Sequence, residues 1–240
     1  MEARDRLIVA LDVSTAAEAK RIVEAVGKAA TTFKVGKQLF LAEGPAIVRD
    51  LVTSGRHVFL DLKFHDIPNT VAAAVRSAAG LGVSMLTVHA SGGAKMLRAA
   101  ADAAKQARTP PLVLAVTVLT SLGDREMQEI GVLGHAADQV LRLAGLAHDN
   151  GCRGVVASPQ EARKLREMLG AGFAIVTPGV RPAGSDPGDQ ARVATPADAI
   201  RNGATYLVVG RPITEAKDPA RAVRAILKQI EAAGGKATNK

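Results

Sequence analysis

An acid, a base and a second acid follow one another in Asp61-Leu62-Lys63-Phe64-His65-Asp66-Ile67-Pro68-Asn69-Thr70. The stretch leaves the apolar run His57-Val58-Phe59-Leu60, which reads as a buried strand. Alternate side chains of a strand share a face. Asp61 and Lys63 therefore point one way, and Leu60 and Leu62 the other. Asp66 adds a second acid in the turn that follows. Such a cluster concentrates charge at one edge of a sheet, the setting for acid–base work. Taken alone, the triplet fits equally well a solvated turn with a surface ion pair, which is worth little in stability.

Other polar residues stand at comparable places. Asp12 follows Ile8 and Ala10 on one face of the first apolar run, Lys34 lies near the end of the second, and His89 ends the fourth. Thr120 and Ser121 follow the fifth, Pro178 the seventh, and Gly210-Arg211 the eighth. Singly, Asp12 reads as a helix cap and Lys34 as a solvated end; their joint placement points to a site. The turn Val208-Val209-Gly210-Arg211-Pro212-Ile213-Thr214 has the chemistry of a phosphate grip. Glycine lets a ligand approach the backbone, amides at a helix start cradle an anion, and Arg211 offers a bidentate fork. A purely structural Gly-Arg-Pro turn is the alternative. The long polar loop from Thr177 to Gln190, rich in Gly and Pro, reads as a lid, with Arg181 and Gln190 closing over the same phosphate.

The elements that must position these residues form a rhythm. Apolar, β-branched runs recur at Leu7–Leu11, Thr31–Val35, His57–Leu62, Ser84–Val88, Leu112–Val118, Gly154–Ala157, Ala174–Thr177 and Tyr206–Val209. Helix-period, Ala-rich segments lie between most of them: Thr15–Ala29, Gly44–Ser54, Thr70–Leu81, Lys95–Ala107 and Asp138–Asp149. Strands alternating with helices imply parallel βαβ units. Eight units in 240 residues suit an α/β fold of the (β/α)8 TIM-barrel kind, with a doubly wound open sheet as the alternative. No Pro/Ser-rich linker divides the chain, so residues 1–233 read as one barrel domain and 234–240 as a disordered tail. The last helix is expected to open at Asp218-Pro219, with Asp as cap and Pro in the first turn. In a barrel of this kind the active site lies at the carboxyl ends of the strands, where the polar residues above fall.

Composition narrows the partners. Hydrophobic residues make up 48% of the chain, enough for a substantial core, whereas aromatics make up 2%, which leaves few platforms for stacking single-stranded nucleic acid. The net charge of +8 favours an anionic ligand. The basic residues are scattered, without the dense run of a nucleic-acid footprint. Cys152 is the only cysteine, so an internal disulfide and a cysteine metal cluster are both excluded. The opening Met1-Glu2-Ala3-Arg4-Asp5-Arg6 has no apolar signal core, and no apolar stretch approaches a membrane span. A soluble cytoplasmic protein is expected.

The chain resembles the orotidine 5'-phosphate decarboxylases of the common bacterial type. The resemblance runs from Ala10-Leu11-Asp12 to Gly210-Arg211-Pro212-Ile213. It includes Phe33-Lys34-Val35-Gly36, Asp61 through Thr70, Val118-Leu119-Thr120-Ser121, Thr177-Pro178-Gly179-Val180-Arg181-Pro182, Asp189-Gln190-Ala191-Arg192 and Thr195-Pro196. The Asp-x-Lys-x-x-Asp core is shared with related sugar-phosphate decarboxylases and synthases; its combination with Asp189-Gln190 and the Gly210-Arg211 turn is narrower. The resemblance implies decarboxylation of orotidine 5'-monophosphate to UMP in pyrimidine synthesis, with neither metal nor organic cofactor. It implies that Lys63 delivers a proton to C6 of the pyrimidine, and that Lys34, Asp61 and Lys63 form an alternating charge array. Asp66 would complete that array in the site of the partner in a homodimer, with Thr70 reaching across and Ile67 counted among the substrate-binding residues. Asp12 and Lys34 would contact the ribose, and Thr120, Ser121 and Pro178 the base. Arg181, Gln190, Gly210 and Arg211 would hold the phosphate.

The physics suits this assignment. Loss of CO2 leaves negative charge on a carbon for which many decarboxylases borrow an electron sink from a cofactor. A fixed ammonium must stand in for it, and flanking acids favour an ammonium's charged form. One ion pair at an effective dielectric near 20 is worth about 4 kcal/mol, less than the roughly 8–23 kcal/mol that enzymes typically supply. Phosphate binding and water exclusion are left to contribute the rest. Two other readings stay open: a magnesium-dependent sugar-phosphate decarboxylase or synthase on the same barrel, with Asp12 and Asp61 near the metal, and a non-catalytic nucleotide-phosphate binding protein.

Overall fold

The computed structural model describes residues 1–181 and 194–234. All eight expected strands form: β1 (Leu7–Leu11), β2 (Thr32–Gly36), β3 (His57–Phe64), β4 (Met85–His89), β5 (Leu112–Val116), β6 (Gly154–Val156), β7 (Ala174–Thr177) and β8 (Tyr206–Val209). Each pairs in parallel with its neighbour in sequence, and β8 returns to β1 through Leu7↔Leu207, Ile8↔Val208 and Val9↔Val209. That last pairing closes a (β/α)8 barrel and rules out the open sheet, which would leave two edges unpaired.

Two sets of apolar residues follow from the alternation along each strand. Ile8, Ala10, Phe59, Met85, Leu114, Ala174, Val176 and Val208 pack together as one cluster, the filling of the barrel. The opposite parity, including Leu7, Val9, Leu11, Val58, Leu60, Leu207 and Val209, packs under the helices in a larger cluster. Strands buried on both faces read as continuous apolar runs, which is why they were legible in the sequence.

The helices match expectation in place but not at their ends. The first long helix is Ala16–Val26, continued by a 3-10 turn at Gly27–Ala29. It starts at a capping box in which the Thr15 hydroxyl accepts from Glu18 N–H and the Glu18 carboxylate accepts from Thr15 N–H. The segments expected at 44–54, 70–81, 95–107 and 138–149 are helical over Ala46–Thr53, Pro68–Gly80, Gly93–Lys105 and Ala136–Asp149. Short helices at Lys37–Glu43, Ala162–Leu169, Pro196–Arg201 and Arg211–Thr214 were not among the segments expected to be helical. The last helix, Pro219–Gly234, opens as expected, with the Asp218 carboxylate accepting from Arg221 N–H at 2.9 Å. Gly234 is therefore helical rather than part of a tail, and residues 235–240 lie outside the described residues. Among the described residues no helix is long and apolar enough to cross a membrane.

Candidate active site

The inward parity of the strands carries the apolar filling up to a polar layer at the carboxyl end. Ala10, Lys34 and Phe59 are register partners across β1, β2 and β3. Two residues on, Asp12 follows β1, Gly36 ends β2 and Asp61 continues β3, with Gly36 paired to Asp61. Lys34 thus rises from below between two acids. Its Nζ lies 2.6 Å from Asp12 Oδ1 and 3.9 Å from Asp61 Oδ2. Lys63 Nζ donates to both oxygens of Asp61 at 2.9 Å. Asp12, Lys34, Asp61 and Lys63 therefore form a row of alternating charge. A Cβ at Gly36 would stand 3.0 Å from Lys34 Nζ and 3.1 Å from Asp12 Oδ1, so the glycine leaves room for the first pair.

Lys63 reaches Asp61 by a route that simple alternation did not anticipate. The ladder between β3 and β4 is regular at Phe59↔Met85 and Leu60↔Leu86 and resumes at Phe64↔Val88. Four steps on β3 answer two on β4, a bulge that re-aims the intervening side chains. Lys63 sits in it with φ 54°, the only residue other than glycine with positive φ among those described. For a bulky side chain that region is strained by about 1–2 kcal/mol, a cost that recurs at functional sites. The Thr87 hydroxyl on β4 accepts from Lys63 N–H at 2.9 Å and donates to Asp61 Oδ1 at 3.0 Å.

Burial pushes the Asp61 carboxyl up. The Lys34 and Lys63 ammonium groups, with hydrogen bonds from Lys63 and Thr87, more than reverse this and hold it below the ordinary carboxylate value. His89 at the end of β4 is pushed below the ordinary imidazole value by burial, then by its electrostatic interactions with His65, Lys63 and Lys37, with Asp61 opposing. Its ring centroid lies 5.4 Å from that of His65.

A cavity of about 730 Å³ opens at this end of the barrel. It is lined by Asp12, Lys34, Asp61, Lys63, Thr120, Pro178, Arg181, Gly210 and Arg211, brought together from β1, β2, β3 and the segments after β5, β7 and β8. Four expected residues do not line it. Ser121 is exposed outside the wall, which leaves Thr120 as the residue from that turn. Asp66, Ile67 and Thr70 are exposed around the start of the Pro68–Gly80 helix, Ile67 by 67%, and the Asp66 carboxylate accepts from Ile67 N–H at 2.6 Å. Gln190 and the rest of the loop at 182–193 lie outside the described residues. Both flanks of that loop meet at the cavity, where Val180 bridges Ala194 and Arg181 N–H donates to Ala194 O at 3.0 Å. Sequence reading missed Thr87, whose only signal was its inward parity two residues before His89. It also passed over Arg21, on the Ala16–Val26 helix, and Glu215, in the turn after the Arg211–Thr214 helix, both of which line the wall.

The turn at Gly210-Arg211 is built as its residues require. Gly210 precedes the Arg211–Thr214 helix, and its carbonyl accepts from Ile213 and Thr214 N–H at 2.8 and 3.1 Å. Buried Ile213 anchors the turn from below, while Arg211 is exposed at the cavity rim. A cation at the rim and two ammonium groups on the floor, with the Asp61 carboxylate between them, suit an elongated anion held at one end and transformed at the other.

The chain as a whole has counterparts among known proteins. Residues 5–226 match the model of the orotidine 5'-phosphate decarboxylase / HUMPS family. The chain is 55% identical over 238 residues to the orotidine 5'-phosphate decarboxylase of Moorella thermoacetica, covering 96% of this chain and 94% of that protein. It is 54% identical over 225 residues to that of Idiomarina loihiensis, covering 94% and 97%. The crystal structure of orotidine 5'-phosphate decarboxylase from Lactobacillus acidophilus superimposes with a TM-score of 0.85 at 40% identity, covering 94% of this chain and 99% of that one. With a closed barrel, a charge row at its carboxyl end and near-full-length similarity in hand, the chain belongs to the orotidine 5'-phosphate decarboxylase / HUMPS family.

Proposed function

We propose that this chain decarboxylates orotidine 5'-monophosphate to UMP and CO2, the closing step of pyrimidine nucleotide synthesis, without metal or organic cofactor. The observation that carries the proposal is the row Asp12–Lys34–Asp61–Lys63 on the floor of a cavity whose rim holds Gly210 and Arg211. It is supported by the similarity of nearly the whole chain to orotidine 5'-phosphate decarboxylases.

In this reading Arg211, Arg181 and Gln190 hold the 5'-phosphate, Asp12 and Lys34 the ribose, and Thr120 and Pro178 the base. Breaking the C6–carboxylate bond leaves an electron pair on C6. The Lys63 ammonium stabilises that pair and then delivers its proton there. Asp61 keeps the ammonium aimed by accepting from it through both oxygens. Asp61 also brings a negative charge near the substrate carboxylate, which favours the step that removes that charge.

The runner-up needs Asp12 and Asp61 to hold magnesium. Each is instead bound by an ammonium, and among the described residues no three His, Cys, Asp or Glu side chains are grouped for a metal. That donor set favours the cofactor-free reading. Asp66, Ile67 and Thr70 do not line their own cavity and are exposed in the single chain. This supports a homodimer in which they complete the partner's site. The buried lone cysteine and the absence of a spanning helix among the described residues are in keeping with a cytoplasmic enzyme.

The test is ultraviolet absorbance of orotidine 5'-monophosphate mixed with the enzyme in EDTA. Turnover is expected to persist. Activity lost on chelation and restored by magnesium would move the chain to the runner-up, and UMP binding without turnover would make it a binding protein. For the shared site, Lys63→Ala and Asp66→Ala chains are refolded together. Half the dimers are then mixed, each with one intact site of two, so activity should return to about one quarter of wild type. Mixed dimers verified by mass spectrometry and still inactive would remove Asp66 from the partner's site.

A further inference from the structure

The Thr87 hydroxyl closes a ring around one residue. It accepts from the backbone N–H of Lys63 at 2.9 Å and donates to Asp61 Oδ1 at 3.0 Å. The same oxygen accepts from the Lys63 ammonium at 2.9 Å. Backbone and side chain of Lys63 are thus tied together through one hydroxyl and one carboxylate. A hydroxyl has one proton to give and lone pairs to receive, and this geometry uses both capacities.

Thr87 sits where the β3–β4 ladder breaks. The bulge between Leu60 and Phe64 forces Lys63 to φ 54° and takes its N–H out of regular pairing. Such a conformation persists only where the surroundings over-determine it. Thr87 has 0% exposure and lies outside the cavity wall, so it touches no bound molecule. Its neighbours of like parity on β4, Met85 and His89, make neither hydrogen bond.

We propose that Thr87 is a positioning residue of the reaction, its hydroxyl locking the bulge and the Asp61 carboxylate so that the Lys63 ammonium meets the reacting carbon. The proposal rests on Lys63 being the proton donor. A shift of about 1 Å at a reacting group can lower a rate roughly 10²-fold. The hydroxyl controls both ends of the group that must not shift.

The experiment compares Thr87→Val, which keeps the shape and loses the hydroxyl, with Thr87→Ser, which keeps the hydroxyl. UMP titration counts competent sites, so kcat is expressed per site. Thr87→Val is expected to keep UMP affinity and KM within a few-fold of wild type while kcat per site falls about 10²-fold; Thr87→Ser is expected to recover most of that loss. A purely structural role predicts fewer competent sites and a lower melting temperature with kcat per site unchanged, and that result overturns the proposal. If Thr87→Val does not fold, Thr87→Ser and Thr87→Cys carry the test, since both lose the methyl and differ in oxygen against sulfur. Equal kcat per site for that pair also overturns it. Lys63→Ala, run in parallel, separates the two layers. Wild-type turnover in Lys63→Ala removes Lys63 itself from the chemistry. An inactive Lys63→Ala beside a fully active Thr87→Val removes Thr87 alone.

Discussion

Asp61→Asn removes one charge from the middle of the row and leaves the shape of the side chain. Its carboxylate lies 2.9 Å from Lys63 Nζ and 3.9 Å from Lys34 Nζ. At an effective dielectric near 20 these contacts amount to about 6 and about 4 kcal/mol before desolvation. Desolvation takes back much of this, and removing one partner of a largely buried pair costs about 3–5 kcal/mol. If about 3 kcal/mol of that is aim lost at Lys63, the rate falls roughly 10²-fold. Ground-state binding should move the other way, because the substrate carboxylate no longer faces a fixed negative charge. The assay is steady-state decarboxylation followed by ultraviolet absorbance, with calorimetric Kd values for UMP and, under slow turnover, for the substrate. The expected pattern is a large fall in kcat with substrate affinity rising relative to UMP affinity. Turnover within a few-fold of wild type would refute the argument that Asp61 holds the reacting ammonium. A fall in kcat with an unchanged affinity ratio would refute the repulsion and leave the positioning.

Other outcomes follow from the same structure. Asp61 has a folded-state pKa below its ordinary 3.8, so it contributes stability above that value and loses it as pH falls through the lower folded value. Urea unfolding of wild type and Asp61→Asn should therefore differ at neutral pH and converge as pH falls below that ordinary value; parallel curves would deny the coupling. Arg166 donates to the Gly170, Phe173 and Gly203 carbonyls and to Thr205 Oγ1, clipping the Ala162–Leu169 helix to the entries of β7 and β8. Arg166→Met should lower unfolding free energy by about 2–4 kcal/mol while leaving UMP affinity unchanged, and a shift under half a kilocalorie by chemical denaturation would contradict it. Cys152 is buried, and burial pushes its thiol up to about 12. It should resist a disulfide reagent in the native state and react at once in denaturant; rapid native labelling would show that the surrounding core opens.

What the sequence determined by itself was local and periodic. Parallel strands buried on both faces must be apolar along their whole length, so all eight could be read as runs. Period-two parity placed Asp12 on the face of Ile8 and Ala10, and Asp61 opposite Leu60 and Leu62, because the alternation of side chains needs no partner strand to define it. The Gly210-Arg211-Pro212 turn and the Asp218-Pro219 cap were legible for the same reason. Closure was not local: it depends on β8 pairing with β1, some 200 residues away. Nor was the aim of Lys63, since the bulge arises from a mismatch between β3 and β4 that neither strand carries alone. Thr87 looked like any strand threonine until β4 was laid beside that bulge. The choice of Thr120 over Ser121 for the cavity wall, and the placing of Asp66 and Thr70 outside it, were likewise decided in three dimensions. Residue type and spacing set which groups are available for chemistry. Pairing between distant segments sets where those groups point, because the energy that fixes them comes from contacts the chain makes only once it has folded.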